Sequence, residues 1–498
     1  MGNLSIQYHD IALGALQKST SETLNANKLS DVDYFSAGIL RTRKFATFEP
    51  NYWVLDGKMD TYYVRPAFIS DFRSEDDGYF AKEKRPSLIF NLDKPYVAPG
   101  FTLSFGSFEP DLGDFCSDVR LSMYRDGKKI DGGVYYPNSS EYFCKWKNPA
   151  PFDKVKIEFR KTSIPKRYAR LNSVAFGAVR KFGRDEVRGA TLQVEGNLIG
   201  DKVSTSSLNW TLNNLEPLDF SFRTLQPVYT YDGDKLLSVT YVKKAEQTGD
   251  KLYKIDCEDL IGLLDRSTVP AKKFDGRLNS QGYLYQLLGG DYEITLDQDL
   301  QDIPVNGFIK SCSRREALQQ LCFVLGACAT TFRSDGLRVK NVFGALPVFI
   351  PSLDPDDVFS GQKFTENEIV SSVTVVSHNL VPDADGDIEI AGQKYKDETR
   401  EHTKVNSDPK AQARGKAYKV DNMTLVTLSN VDKVLDTTYN YLMQRGEMSA
   451  KIVLGDHDIG ETVEIPTIWN ENTVGAISSM NVKLSNMTVA DIKTVVKN

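Results

Sequence analysis

Between Phe35 and Gly177, apolar and polar residues alternate with a period of two in short runs separated by turn residues. Phe101-Thr-Leu-Ser-Phe105 and Val155-Lys-Ile-Glu-Phe159 place every second side chain on one face, the pattern of a half-buried strand. Val119-Arg-Leu-Ser-Met-Tyr124 and Lys128-Lys-Ile130 flank Asp126-Gly127, and an Asp-Gly pair supplies the positive φ angles that a tight hairpin needs. No stretch here carries a 3.6-residue period through three turns, so the pattern predicts a single all-β module.

Beyond residue 180 the pattern becomes mixed. Tyr229–Tyr231, Asp232-Gly-Asp234 and Leu236–Val242 predict a second hairpin, followed by the strand Leu252-Tyr-Lys-Ile-Asp-Cys257. Ser313-Arg-Arg-Glu316 has the spacing of a capping box, and Leu318, Leu321, Cys322 and Leu325 continue at helical intervals to Gly326, predicting an amphipathic helix. Residues 330–339 predict a third hairpin around Asp335-Gly336, and the proline-rich stretch Leu346–Pro355 marks a boundary. The last third predicts strands at 368–377, 387–396, 449–454 and 461–465, and a helix from Val431 to Arg445. Asn430 is that helix's expected cap, Val434, Leu435, Tyr439 and Leu442 its apolar stripe and Gly446 its stop, so that it plugs or flanks a barrel. Asp408-Pro409 predicts a shorter helical turn, and Asp10–Lys18 has helical potential.

Composition changes the picture in three ways. A chain of 498 residues needs several packing units at roughly 100–200 residues each. Hydrophobic residues at 41%, charged residues at 26%, 35 Gly and 20 Pro exclude a fibrous, collagen-like or wholly disordered chain. Apolar runs such as Leu321–Ala329 fall short of the ~20 residues that cross a bilayer, and Met1-Gly-Asn-Leu-Ser5 lacks the regions of a signal peptide; no membrane partner is expected. The net charge of −6 hides an asymmetry: 2 basic and 4 acidic groups in residues 1–35, 23 and 18 in 36–178, and 36 and 45 in 179–498.

Candidate chemistry is sparse. Cys116, Cys144, Cys257, Cys312, Cys322 and Cys328 form no C-x-x-C pair, and buried free thiols account for them, with Cys116–Cys144 the one bridge an exported chain would form. His9, His378, His402 and His457 make no close metal pair, and the nucleophile-elbow, phosphate-loop and dinucleotide signatures are absent. Asp383-Ala-Asp-Gly-Asp387 with Glu389 gathers oxygen ligands as a calcium loop would, but its Gly stands fourth, as in a solvated Asp-Gly turn. Asn51-Tyr-Trp53, Tyr62-Tyr63, Tyr135-Tyr136 and Tyr142-Phe143 either fill a core or stack on sugars, and Arg41, Arg43 and Lys44 either meet an anion or form a solvated face. No catalytic, cofactor-binding or metal-ligating residue is assigned, and no cofactor is expected.

Two resemblances add to this reading. Phe45-Ala-Thr-Phe-Glu-Pro-Asn-Tyr-Trp-Val-Leu-Asp-Gly57 and Arg167-Tyr-Ala-Arg-Leu-Asn-Ser-Val-Ala-Phe-Gly177 make residues 36–178 resemble a discoidin-like jelly-roll module, of the variety found within phage and prophage tail proteins. Tyr229-Thr-Tyr-Asp-Gly-Asp-Lys-Leu-Leu-Ser-Val-Thr-Tyr-Val242, Tyr253-Lys-Ile-Asp-Cys-Glu-Asp-Leu-Ile-Gly-Leu-Leu264 and Arg315-Glu-Ala-Leu-Gln-Gln-Leu-Cys-Phe-Val-Leu-Gly-Ala327 with Ser334-Asp-Gly-Leu-Arg338 make residues 185–498 resemble the baseplate hub, or tail-tip, family of tailed phages and contractile injection particles.

The resemblance implies a mainly β chain with some α: an N-terminal segment 1–35, a discoidin-like β-sandwich 36–178, a first hub β-barrel 179–265, a mixed α/β domain 266–355 and a second hub β-barrel 356–498 with its flanking helix. It also implies a structural, non-enzymatic homotrimer that adapts a hexameric tail tube to a threefold tip, made in the bacterial host cytoplasm and carried in the virion tail or a tail-like particle. The partners then expected are the tail tube and distal tail proteins, the tape-measure protein and a separate spike, fibre or lytic tip protein, with surface glycan a further candidate. DNA would be passing cargo, facing an acidic channel wall. The alternative from another class is a host-surface carbohydrate-binding adhesin that works through the discoidin-like module, and a third is a glycan-cleaving enzyme with two carboxylates.

Overall fold

The computed structural model describes residues 4–12, 14–16, 18–28, 49, 68–105, 115–147, 149–213, 218, 220–288, 292–343, 350–466, 472–484 and 488–496. Arg41, Arg43, Lys44, Asn51–Trp53, Tyr62-Tyr63 and most of the 45–57 stretch lie outside them. The chain is mainly β with five α-helices among these residues, and it divides into two compact units, Tyr8–Arg180 and Met1–Gln7 with Lys181–Asn498. The first unit is thus an insertion: the chain leaves its host after Gln7 and returns at Lys181.

The inserted unit has a five-stranded antiparallel sheet in the order Ser19–Leu24, Ser87–Tyr96, Phe152–Thr162, Cys116–Arg125, Lys128–Tyr135. Two three-stranded sheets complete it, one centred on Phe68–Arg73 and one on Gly100–Ser104. Leu88, Phe90, Val119, Leu121, Val155 and Ile157 of the larger sheet share one core with Phe68, Phe101, Leu103 and Val174 of the smaller ones, so the layers form a β-sandwich. Aromatic edges fill it: Phe101 meets Phe176 edge-on at 4.8 Å, and Trp146 meets Phe152 at 5.0 Å. The 119–130 hairpin forms as its sequence predicts, with Asp126 at φ 49° and Gly127 at φ 75° in the two-residue turn. Inside the sandwich Glu49 is paired with Arg170; both side chains are buried, and Glu49 Oε1 also accepts from the Tyr168 amide at 2.8 Å.

Asp10–Lys18 is not helical. Asp10 and Ile11 end the strand Leu4–Ile11, residues 14–16 turn, and Ser19 starts the next strand with its hydroxyl donating to Leu16 O at 2.8 Å. Nine residues of helical propensity are too few to hold a helix alone, whereas Leu4, Ile6 and Tyr8 alternate into a buried face.

The host unit is built on a long sheet whose strands come from both ends of its sequence. One set of five antiparallel strands is Val187–Glu195, Ser207–Asn213, Pro227–Asp232, Lys235–Gly249 and Leu252–Asp259. A second set is Lys363–Glu366, Gly446–Val453, Thr462–Ile465, Thr473–Leu484 and Thr488–Val496. Within each set the spatial order is third, fourth, fifth, second, first. The sets join where Ala190–Glu195 pairs with Leu484–Ser479 through six consecutive residue pairs.

The mixed region between them holds the helices Leu260–Leu264, Ser280–Leu288 and Arg314–Leu325. The capping box of the last is complete, Ser313 Oγ accepting from Glu316 N and Glu316 Oε2 from Ser313 N, and Gly326 ends it at φ 66°. The third hairpin forms with a longer connection than expected. Cys328–Thr330 pairs with Leu337–Lys340, and Arg333, not Gly336, takes the positive φ of 55°. Gly336 is required by proximity, since a β-carbon there would lie 2.2 Å from Glu293 O. Arg333 binds across the unit, its amide donating to Leu237 O and its Nε to His457 O at 3.0 Å.

The helix Val431–Met443 departs from expectation twice. Asn430 does not cap it through its side chain; its Oδ1 accepts from Thr427 N and its Nδ2 donates to Leu425 O, closing the preceding turn. Its buried residues Val431, Val434 and Leu435 pack in the same core as Leu318, Leu321, Val373 and Val375, so it serves the mixed region and the ribbon Val370–Pro382/Gln393–Val405. Asp408 does cap the turn Pro409–Arg414 through Lys410 N.

Two stability outcomes follow. Ser313→Ala should cost about 1 kcal/mol, seen as a lower urea midpoint at unchanged m-value. Arg170→Met, which leaves the Glu49 carboxylate buried without its partner, should cost about 3–5 kcal/mol, and restoring the balance with Glu49→Gln in the same chain should recover part of it.

Candidate assembly surface

The junction of the two five-strand sets determines the chemistry of one sheet face. Because side chains alternate, Ala190, Leu192 and Val194 point into the core with Leu208, Trp210, Met480 and Val482, while their neighbours point to the other face. That face carries Ser207, Asn209 and Thr211 on one strand, Thr191 and Gln193 on the next, and Ser479 and Asn481 on the third, with Thr191 opposite Asn209 and Gln193 opposite both Ser207 and Asn481. The result is a polar seam of hydroxyls and amides crossing the join, with Lys483 opposite Thr191 and Glu195 opposite Ser479 on the same face.

Further charges of both signs stand on the neighbouring strands. Lys483 meets Asp491 at 3.0 Å, Lys493 meets Glu447 at 3.3 Å, and Lys451 lies over the Phe359 ring at 4.9 Å. On the opposite flank Lys254 and Asp256 stand two residues apart on one strand, and Glu258 pairs with Arg266. Both signs are thus interleaved here, and this face does not concentrate the acidic excess of residues 179–498. A cleft of about 660 Å³ opens on it, lined by Arg184, Arg188, Thr191, Asn209, Lys254 and Lys483 among others. At the far end of the sheet the strand Lys363–Glu366 is wholly exposed, with Phe364 at 51%.

The residues singled out from sequence do not converge. Among the described residues no group of three or more His, Cys, Asp or Glu side chains is arranged to hold a metal. Asp383 accepts from the Asp385 amide at 2.9 Å and anchors a turn, and Gly386 is set against Tyr395 O. His378 Nδ1 bonds Asp397 at 2.7 Å, His402 Nε2 bonds Ser377 Oγ at 2.9 Å and His457 Nδ1 bonds Glu461 at 3.1 Å, three separate local contacts. All six cysteines are free thiols; burial pushes Cys257 and Cys328 up to about 12, and Cys312, the least buried, to about 11. In the sandwich, Tyr135 and Tyr142 lean on the core, while Tyr136 is 67% exposed.

Two buried or crowded carboxyls were not legible from spacing. Asp259 is fully buried: Oδ1 accepts from Gly262 N, and Oδ2 from Ser206 N and Thr331 Oγ1. Burial raises its pKa against those three bonds. Glu293 is also raised, first by the charge of Asp335 and then by burial, and Asp335 also helps to raise Tyr229 and Tyr231.

No family model and no curated protein matches the chain. Among solved structures it is similar to the 43 kDa tail protein of prophage MuSo2 from Shewanella oneidensis, with 11% identity, 64% of this chain and 95% of that one covered, and a TM-score of 0.43. It is also similar to a tail protein from Neisseria meningitidis MC58, at 10% identity, 64% and 94% coverage and TM-score 0.44. A third is the prophage tail protein gp18 from Listeria monocytogenes EGD-e, at 10% identity, 64% and 91% coverage and TM-score 0.40.

The Glu293–Asp335 pair gives a pH test. A carboxyl whose pKa is raised on folding costs stability once it ionises, and the cost disappears as pH falls below the ordinary carboxylate range. Asp335→Asn should therefore raise the melting temperature slightly at pH 7, by at most about 1 kcal/mol for so exposed a pair, and leave it unchanged near pH 3; equal effects at both pH values would contradict the repulsion.

Proposed function

We propose that the chain is a structural hub of a phage tail or tail-like particle, three copies closing into a ring between a sixfold tube and a threefold tip. The observation that carries this reading is the repeated strand order of the two five-strand sets, Val187–Asp259 and Lys363–Val496. A chain holding two copies of one β-unit presents six such units when three chains assemble, which is the stoichiometry that a six-to-three adaptor requires. The hub-like residues read in the sequence, Tyr229–Val242, Tyr253–Leu264 and Arg315–Ala327, fall in the first β-unit and in the mixed region that braces both.

On this reading each β-unit takes the place of a hub barrel, and the chain acts by placing surfaces, with no catalytic step. The insertion 367–445, with its ribbon and helix, belongs to the second unit alone. Six units around a ring would then alternate between bare and decorated, which is a physical means of lowering sixfold to threefold symmetry. The sandwich Tyr8–Arg180, read as discoidin-like, would brace a neighbouring tail protein. The ring's partners would be the tube and distal tail proteins, the tape-measure protein and a separate spike, fibre or lytic tip protein.

Native mass measurement of the full chain, alone and with its tube partner, checks this. Three copies per complex are expected. A chain that stays monomeric with the tube protein present and binds glycan arrays, losing that binding with Tyr136→Ala, would replace the hub by an adhesin.

A further inference from the structure

We propose that the open edge of the strand Gln393–Val405 pairs antiparallel with the same edge of a second copy of this chain, about a two-fold axis at Glu401. The inference is independent of the hub reading. It starts from the direction of the backbone. Ala391 and Gly392, at φ 52° and 81°, form a two-residue turn, so Gln393 and Tyr395 bond to the short strand Ile388–Ile390 on one side. Lys394 O accepts from Asp383 N, and Asn406 N donates to Ser371 O, on the other side, toward Val370–Pro382. The ladder between these points runs through eleven consecutive pairs with no register shift. Asp397, Thr399, Glu401, Thr403 and Val405 therefore turn their N–H and C=O groups outward. Among the described residues no strand or loop backbone bonds them there.

Strand edges are ordinarily blunted by a proline or a bulge, and residues 397–405 hold neither, while Thr399, Thr403 and Val405 are exposed. The occupant follows from the register. Ile388–Ile390 blocks the edge at Gln393–Tyr395, and the chain turns away at Asn406, so a partner strand fits only along 397–405. A second copy fills that length when Asp397 meets the partner's Val405. Thr399 then lies opposite the partner's Thr403, and Glu398 opposite the partner's Lys404, each contact made twice by symmetry. Cross-strand threonine pairs and opposite charges stabilise a sheet. Lys404 is already held at this edge by Asp436 at 2.8 Å and by the Tyr439 ring at 4.6 Å. One contact opposes the pairing: the two Glu401 side chains meet at the axis, each drawn toward its own Lys419 at 2.8 Å.

Sedimentation of the purified full chain over a range of concentrations tests this, with melting curves to check that each variant folds. The wild-type chain should pass from monomer to dimer as concentration rises. Thr399→Pro removes only an outward N–H, which the ladder to Val370–Pro382 does not use, and should weaken the dimer by about tenfold or more. Glu398→Lys sets like charges opposite each other and should weaken it too, whereas Glu401→Gln should tighten it. Should the proline variant fail to fold, Glu398→Lys decides. A wild-type chain that is monomeric, or that forms only trimers, at every concentration up to its solubility limit overturns the proposal. So does a folded Thr399→Pro or Glu398→Lys chain that dimerises with wild-type affinity, which would place the contact elsewhere. The trimer with the tube protein is a separate measurement, so failure of one reading leaves the other standing.

Discussion

The host unit depends on one backbone ladder, the pairing of Ala190–Glu195 with Leu484–Ser479. Each set of five strands on its own would expose the edge of a central strand, with its N–H and C=O groups unpaired. Joined, they satisfy each other's backbone and share one inner face, where Leu192, Val194, Met480 and Val482 are almost completely buried. The register of this ladder also sets the outer face. A one-residue slip would bring Leu192 and Val194 into water and send Thr191 and Gln193 inside, so packing on one side and polarity on the other are fixed by the same constraint.

The mixed region holds this arrangement from both sides. Arg333 and its neighbours bond to Leu237 of the first strand set and to the 455–457 turn of the second, and Arg338 and Lys340 both reach Asp458, at 2.7 and 3.0 Å. Asp259 does related work inside the first set, tying the loop before Ser207 and the helix Leu260–Leu264 to Thr331. These are long-range polar contacts between segments that are far apart in sequence. They tie both strand sets to the mixed region within one compact unit.

Local chemistry was legible wherever it acts over a few residues. The Asp126-Gly127 turn, the capping box at Ser313 and the Asp408 cap could be read directly, because each is a contact between residues a few positions apart. Asp10–Lys18 departs from its helical reading because strand pairing outweighed a weak helical tendency, whereas Asn430 holds the N-cap position as expected but bonds its amide into the turn before the helix. Gly336 looked like a turn glycine, but it answers to the Glu293 backbone. The seam could not be anticipated, since Thr191, Gln193, Asn209 and Asn481 become neighbours only through the register of three strands.

The same ladder has a consequence for synthesis on the ribosome. The strand Val187–Glu195 emerges early, but its partner Thr473–Leu484 is among the last segments to be made. At translation rates of ~5–20 residues per second the earlier strand waits on the order of tens of seconds with one edge unsatisfied. The inserted sandwich, Tyr8–Arg180, has no such delay, because its segments all emerge before the host sheet exists. The chain is thus expected to fold from its insertion outward, with completion of the host sheet withheld until translation is nearly finished.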